Sequence, residues 1–437
     1  VSARTAIVQI LEKYRKTNGF LKNLIDEGIE RSGITDSRDI ALVSAVCIGV
    51  VRNTGLLDFY IDRYSSGTKA EPVVRTILRS GAYQLVFMDR LPDHAVVNET
   101  VKLCQPFKAP RAKGYVNAVM HRIAENKGSL PELPGKGSAE YLARRYSHPL
   151  WLAEYMIGLK GYDFTESFFK ANNTEPATGI VINTLKITVE DYARLLDEAG
   201  VEHSRPGYPK TMLTVGTGRV SALPGYSEGL FFVQDPAAHS PADIAGLKPG
   251  YRVADVCASP GGKSFSAAMA MKGTGEIRSF DVNEKKTAVI ASGAERLGIG
   301  MITVEAADAG INKPEMNDSF DVVIADVPCS GIGVIRKKPE IRSKKKEEIS
   351  NLPAIQRRII GNAARYVKPG GVLVYSTCTV LTEENEAVVK AFLAENENYG
   401  LEGFTLGSRQ VPEGMYTFWP NTDDTDGFFA AKLRRKQ

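Results

Sequence analysis

Val253-Ala-Asp-Val-Cys-Ala-Ser-Pro-Gly-Gly-Lys-Ser264 is a short apolar strand that breaks at a Pro-Gly-Gly turn. It runs on into the helix formers Ser264-Phe-Ser-Ala-Ala-Met-Ala-Met271. A strand, a glycine turn and a helix in succession are where open α/β sheets hold nucleotide-like ligands. Helix-start N–H groups are unpaired there, and glycine permits close backbone approach. Downstream, strand patterns at 275–281, 301–305, 320–327 and 371–376 alternate with helical patterns at 284–297 and before Tyr366. That alternation predicts a parallel, doubly wound sheet.

Two nucleotide motifs are excluded. A P-loop ending in Gly262-Lys263-Ser264 needs a glycine five residues before Gly262, and Cys257 stands there. The Gly-x-Gly-x-x-Gly dinucleotide fingerprint is missing as well. An acidic residue, Asp281, closes the second strand 19 residues after Gly262, a spacing that suits a carboxylate accepting from ribose hydroxyls. A ribose site without a phosphate cradle points to S-adenosylmethionine (SAM), with a generic Rossmann-like ligand as the alternative.

At 437 residues the chain exceeds one ordinary core, and ~150 residues per domain implies two or three domains. Hydrophobic content of 43% and charged content of 24% are ordinary for a soluble globular protein. A net charge of +4 says little as a total. The five cysteines, Cys47, Cys104, Cys257, Cys329 and Cys378, form no Cys-x-x-Cys pair. That argues against a zinc site or a disulfide framework and for free thiols in a reducing cytoplasm. No run of about 18 apolar residues stands out as a membrane span, and residues 1–6 lack a signal-peptide core. A cytoplasmic, metal-free protein is the expectation.

Residues 1–128 read as all-helical. Ile7, Ile10, Leu11 and Tyr14 recur at helical spacing. Asp36 caps a pattern over 40–51, Pro72 opens another, and further patterns cover 94–104 and 113–123. His94 and His121 read as structural or surface residues. Gly, Pro and Ser are dense in 126–138, a linker or long loop. Residues 139–235 read as a small α+β unit, with strands at 179–183 and 211–215 and a helix over 189–200. Residues 236–437 form the third domain.

Two thiols stand at predicted strand ends. Asp326-Val-Pro-Cys329-Ser-Gly ends the fourth strand and Tyr375-Ser-Thr-Cys378-Thr the fifth. The carboxyl ends of such strands face the ligand crevice. An isolated cysteine reads as core, but two beside polar turns read as one site. Spacing does not say which thiol does what. Residues 336–346 then carry seven basic residues and one acid, Glu340. Beside a catalytic strand end, phosphate contact is the reading adopted over a merely solvated face.

The segments from Leu78, Leu91 and Gly114 resemble the NusB-like helical domain, an RNA-binding or RNA-positioning module. The runs from Val233-Gln-Asp through Cys257–Ser264, Asp326–Arg342, Tyr375–Thr379 and Asp426-Gly-Phe-Phe resemble the NOL/NOP/Sun family of RNA cytosine-5 methyltransferases, in its RsmB (Sun) branch. The resemblance implies a multidomain fold: an all-α NusB-like domain (1–128), a small α+β domain (139–235) and an α/β Rossmann-like SAM-dependent methyltransferase domain (236–437). It implies methylation of one cytosine of 16S ribosomal RNA, free or in an early assembly particle. A monomer, with no DNA or membrane partner, is expected. By the same resemblance Cys378 is the nucleophile and Cys329 assists release. Asp326 serves the base or the cofactor. Cys257, Ala258, Ser259, Pro260, Gly261, Gly262 and Lys263, with Asp281 for the ribose and Asp308 near the adenine, hold SAM. Cys257 would contribute backbone rather than thiol chemistry. Lys263 would orient Asp326 or the cofactor, or merely pack its stem. The family often has Arg where Val181 stands, so a phosphate contact there is in doubt. Transfer RNA or 23S ribosomal RNA as substrate, and an assembly factor without turnover, remain as alternatives.

Overall fold

The structure is a computed structural model that describes residues 1–216 and 218–437. It divides into two compact units. One joins Val1–Thr174 with Ile335–Lys346, and the other joins Glu175–Val334 with Glu347–Gln437.

The first unit is helical. Ser2 starts α1 (Ala3–Thr17), its Oγ accepting from Thr5 N–H at 3.2 Å, which satisfies one orphan donor of the first turn. Helix α2 (Leu21–Ser32) was not anticipated. Gly28 lowers its helix signal, yet a Cβ at Gly28 would sit 2.4 Å from the Ile10 side chain, so glycine is what lets α2 lie against α1. Asp36 caps α3 (Ser37–Tyr64) as expected, accepting from Arg38 N–H at 2.8 Å. By length and composition α3 is the one described helix apolar enough to cross a membrane, contrary to the expectation that no such run exists. Its Val43, Val46, Cys47, Leu57 and Ile61 are fully buried in the bundle core, which accounts for that composition. Pro72 stands at the first position of α4 (Pro72–Phe87), where its missing N–H costs nothing. Then follow α5 (Asp93–Lys102) and α6 (Lys113–Glu125). His94 and His121 are exposed. Helices α7 (Ala139–Tyr146), α8 (Leu150–Lys160) and α9 (Tyr162–Asn172) complete the unit.

Arg342 lies among these helices. Its guanidinium donates to the carbonyls of Arg52, Tyr146, Ser147 and Asn172 at 2.9–3.3 Å and to Asn173 Oδ1 at 2.6 Å. Arg336 and Arg342 are 4% and 9% exposed, so the basic run does not act as one phosphate-binding face; two of its cations are inside the protein.

The second unit holds two larger sheets and a two-stranded ribbon. Strands β1 (Thr178–Ile182), β2 (His203–Ser204), β3 (Met212–Val215) and β4 (Phe231–Val233) form an antiparallel sheet in the order β2-β3-β1-β4. Helix α10 (Val189–Glu198) covers it, burying Tyr192 and Leu196 against Ile180 and Phe231. Val181 is fully buried in this sheet, so that position serves packing here. Helix α11 (Pro236–Ile244) leads to β5 (Arg252–Asp255), α12 (Gly262–Ala270), β6 (Glu276–Asp281), α13 (Glu284–Leu297), β7 (Ile302–Ala306) and β8 (Phe320–Asp326). After the short α14 (Lys346–Ile349) come α15 (Leu352–Tyr366), β9 (Val367–Thr377), α16 (Glu386–Glu395) and β10 (Tyr399–Leu401). A separate ribbon, β11 (Phe404–Leu406) and β12 (Arg409–Val411), precedes β13 (Met415–Phe418) and β14 (Phe428–Arg435).

The large sheet runs β10-β14-β9-β8-β5-β6-β7, with β13 on β14. The five strands from β9 to β7 are parallel, as predicted. The sheet as a whole is mixed, not purely parallel, because β14 adds antiparallel to β9 and carries β10 and β13. Its Phe428, Phe429, Ala430 and Ala431 are all buried, a continuous apolar run whose partner strand periodicity does not reveal.

Candidate active site

Register brings the predicted motifs together. Asp326 at the end of β8 pairs with Ser376 of β9. The turn after each strand carries one cysteine, and Cys329 Sγ lies 3.2 Å from Cys378 Sγ. Neither cysteine is in a disulfide, and both are partly exposed.

The two turns are tied to each other through backbone and side chains. Val327 N–H donates to Ser376 C=O at 3.0 Å, and Gly333 N–H to Cys378 C=O at 3.1 Å. The Ser330 and Thr379 hydroxyls are 2.8 Å apart. Gly427 N–H donates to Gly333 C=O at 2.8 Å, and a Cβ on Gly333 would meet that Gly427 backbone at 1.9 Å. Two glycines are required for this approach. The motif Asp426-Gly-Phe-Phe thus braces the first cysteine turn.

Beside the thiols is an ion pair. Lys263 Nζ lies 2.6 Å from Asp326 Oδ2, and Ser376 Oγ donates to Asp326 Oδ1 at 2.8 Å. Burial pulls the Lys263 ammonium down, but the adjoining Asp326 carboxylate outweighs it and holds the lysine charged, with Asp255 and Cys378 adding to the effect. Of the roles anticipated for Lys263, the geometry shows the pairing with Asp326. For Cys329, the contact with Cys378 and then burial raise the thiol well above its ordinary value, with Glu384 and Asp326 adding like charge.

The turn after β5 forms the other wall. Gly261 has φ +105°, and a Cβ there would lie 2.4 Å from the Phe265 ring, so only glycine fits. Ala258 N–H donates to Phe280 C=O at 2.7 Å, seating the loop on β6. Asp281, at the end of β6, accepts one bond, from Asn283 N–H at 3.1 Å. Asp308, after β7, is exposed and accepts from Gly310 N–H at 2.8 Å. Burial raises the Cys257 thiol strongly, and Asp255, Asp326, Asp281 and Asp308 raise it further, so Cys257 is a neutral thiol among carboxylates. The residues 257–263, Asp281, Asp308 and Asp326 predicted for one pocket are thus brought to one end of the sheet.

This donor set fits SAM. A diol needs a carboxylate acceptor, which Asp281 supplies, and a sulfonium needs negative surroundings, which the four carboxylates supply. Among the described residues no group of three His, Cys, Asp or Glu is arranged to hold a metal.

Four contributors escaped sequence reasoning. Asp255 is fully buried and accepts from Ser264 Oγ at 2.7 Å. Ser376 holds Asp326. Glu384 and Gln356 flank the Cys329 turn. Only the charge of Glu384 in an otherwise mixed polar stretch could have signalled it.

Three family descriptions match the chain. They are 16S rRNA methyltransferase RsmB/F over residues 244–434, the NusB family over 1–125, and an RsmF/B-like ferredoxin-like domain over 148–217. The probable ribosomal RNA small subunit methyltransferase B of Synechocystis is 32% identical, covering 100% of this chain and 100% of that protein. Ribosomal RNA small subunit methyltransferase B of Klebsiella pneumoniae is 30% identical over 100% of this chain and 97% of its own length. The crystal structure of PH0851 superposes with a TM-score of 0.82 at 28% identity, covering 100% of this chain and 99% of that one.

Proposed function

This chain belongs to the ribosomal RNA small subunit methyltransferase B family, and from that premise we propose that it methylates carbon 5 of one cytosine in 16S ribosomal RNA. The observation that carries the reading is the pair of thiols 3.2 Å apart beside the Lys263–Asp326 ion pair.

Carbon 5 of cytosine is a weak nucleophile. The Cys378 thiolate adds to carbon 6, and the displaced electron pair makes carbon 5 nucleophilic. Bound SAM supplies an electrophilic methyl group on a sulfonium. Asp326 accepts at the polar edge of the base and favours protonation of the ring nitrogen as Cys378 adds. Lys263 keeps Asp326 in place and favours the Cys378 thiolate. Cys329 then assists release: the carbon-5 proton passes to solvent water, its electron pair re-forms the carbon 5–carbon 6 double bond, and the carbon 6–sulfur bond breaks with Cys378 leaving as a thiolate that the Cys329 thiol, 3.2 Å away, stabilises. Residues Cys257 to Lys263, Asp281 and Asp308 hold the methyl donor. The target base must leave its stack to reach Cys378, at a cost of a few kcal/mol.

The chain is read as three domains, 1–128, 139–235 and 236–437, working as a monomer in the cytoplasm on the RNA alone or on an early assembly particle. The test is direct. Cys378→Ala should abolish methyl transfer from labelled SAM to 16S ribosomal RNA while leaving SAM binding intact. Cys329→Ala should accumulate a covalent protein–RNA adduct on a denaturing gel. Full activity of the first variant would sink the nucleophile assignment, and absence of the adduct in the second would sink the release role. Methylation of 23S ribosomal RNA or transfer RNA instead would move the substrate.

A further inference from the structure

The loop after β9 ends in Glu384-Asn385, and these neighbours grip different cysteine turns. Glu384 Oε2 accepts from Ser330 N–H at 2.9 Å and from Gln356 Nε2 at 2.8 Å. The same Gln356 Nε2 donates to Pro328 C=O at 3.0 Å, so the two residues on either side of Cys329 are both held. Asn385 accepts from Thr377 Oγ1 at 2.6 Å and donates to Thr379 C=O at 3.1 Å, so both neighbours of Cys378 are held. Tyr375 OH donates to the Glu384 carbonyl at 2.6 Å and fixes the loop itself.

This set is costly to bury. Glu384 is 2% exposed and Gln356 and Asn385 are fully buried. Glu384 Oε1 and Gln356 Oε1 are buried without a hydrogen-bond partner. A carboxylate with one unsatisfied oxygen in a protein interior is costly relative to a packed apolar side chain. Packing alone does not require a charge at this position. The nearby thiol pair gives it a use.

We propose that Glu384 and Asn385, seconded by Gln356, are positioning residues that hold the two thiols in contact, and that the Glu384 carboxylate, held against the Cys329 turn, biases their shared proton toward Cys329. The second clause rests on the reading of Cys378 as nucleophile. The Glu384 carboxylate accepts from the amide that follows Cys329, and its negative charge, with that of Asp326, disfavours a Cys329 thiolate, while the Lys263 ammonium interacts electrostatically with Cys378. Cys329 then waits as the protonated partner, and Cys378 is ready to attack.

The ground-state proton distribution is measurable without RNA. The full chain is treated with iodoacetamide at neutral pH, and alkylation at Cys329 and Cys378 is quantified by peptide mass spectrometry. In the native protein Cys378 should label faster. Glu384→Gln keeps the shape and removes the charge, and should raise the ratio of Cys329 to Cys378 labelling about tenfold, the effect of one pKa unit. An unchanged ratio in a variant with a native melting curve overturns the proton assignment. Preferential labelling of Cys329 in the native protein would instead overturn the nucleophile reading, so the two failures are distinct. Gln356→Leu keeps the charge and releases Pro328. It should leave the labelling ratio within about twofold, as the charge is unchanged, and lower kcat at unchanged KM for 16S ribosomal RNA. An unchanged kcat overturns the clamp even if Glu384→Gln does not fold.

Discussion

The turn after β5 has no room for a side chain at position 261. With φ +105° and the Phe265 ring 2.4 Å from a built Cβ, Gly261→Ala meets both backbone strain and a clash. Each costs of order 1–3 kcal/mol. We expect a lower melting temperature and weaker SAM binding by calorimetry, the second because the loop must shift. Asp255, at the start of the same turn, makes a different case. It is fully buried, and burial raises its carboxyl to about 6, against which the Ser264 hydroxyl and Lys263 pull only partly. The folded state therefore binds this proton more tightly than the unfolded chain. Its contribution is complete below about pH 4 and is lost as pH rises through about 6, amounting to about 3 kcal/mol. Asp255→Asn removes that slope. Denaturant unfolding at pH 4.5 and pH 8 should show the variant gaining on the native protein at the higher pH. Equal pH dependence in the two proteins would mean that the buried charge carries no penalty.

At the scale of the element, Arg342 shows what a strand-by-strand view of the chain omits. In sequence it is one cation in a run of seven, soon after the Cys329 turn. In the structure it joins three helices of the first unit, donating to carbonyls at the ends of α7 and α9 and to Arg52 of α3. Cations are favoured at helix C-termini, where carbonyls lack intrahelical partners. Arg342→Met should destabilise this unit by roughly 3 kcal/mol, since several buried carbonyls lose a charged donor. That corresponds to roughly 6–12 °C in melting temperature. Arg342→Lys should recover little, because one ammonium does not reproduce the five-donor fork. A native melting temperature in Arg342→Met would show that these bonds are replaced by water. Arg342 was illegible because its partners are backbone carbonyls brought together only by packing. The cysteines were legible because each follows an apolar run and opens a polar turn, which is a local pattern. Helix α2 and strand β14 were illegible for related reasons. Gly28 helps α1 and α2 approach while weakening the helix signal, and the apolar run at 428–431 says only that it is buried, not beside which strand. Glu384 lies between these cases: its charge is visible, but its grip on Ser330, in a turn 54 residues earlier, is not.

Across the whole molecule, charge is nearly balanced: 55 basic residues face 51 acidic ones, giving a formal +4. Long-range attraction to RNA therefore cannot come from the total and must come from where cations are concentrated. The segment Ile335–Lys346 is such a place. Its buried arginines anchor it, and Lys337, Lys338, Lys345 and Lys346 are exposed. The run thus splits into an inner set that holds the segment in place and an outer set that can meet phosphates. Phosphate contacts release counterions, and each contributes about 0.7 to the slope of log affinity against log salt on single-stranded RNA. Replacing the four exposed lysines by alanine cancels the formal net charge of +4. It should reduce that slope by up to about 3 and weaken binding of 16S ribosomal RNA at low salt. SAM affinity should not change, because Asp281, Asp308 and residues 257–263 are untouched. Melting temperature should change little, since interactions of exposed charges contribute little to stability. Filter binding of the transcript over a salt series separates the possibilities. A reduced slope with full SAM binding assigns the outer lysines to phosphate contact, whereas an unchanged slope would place the RNA backbone on other cations of the chain.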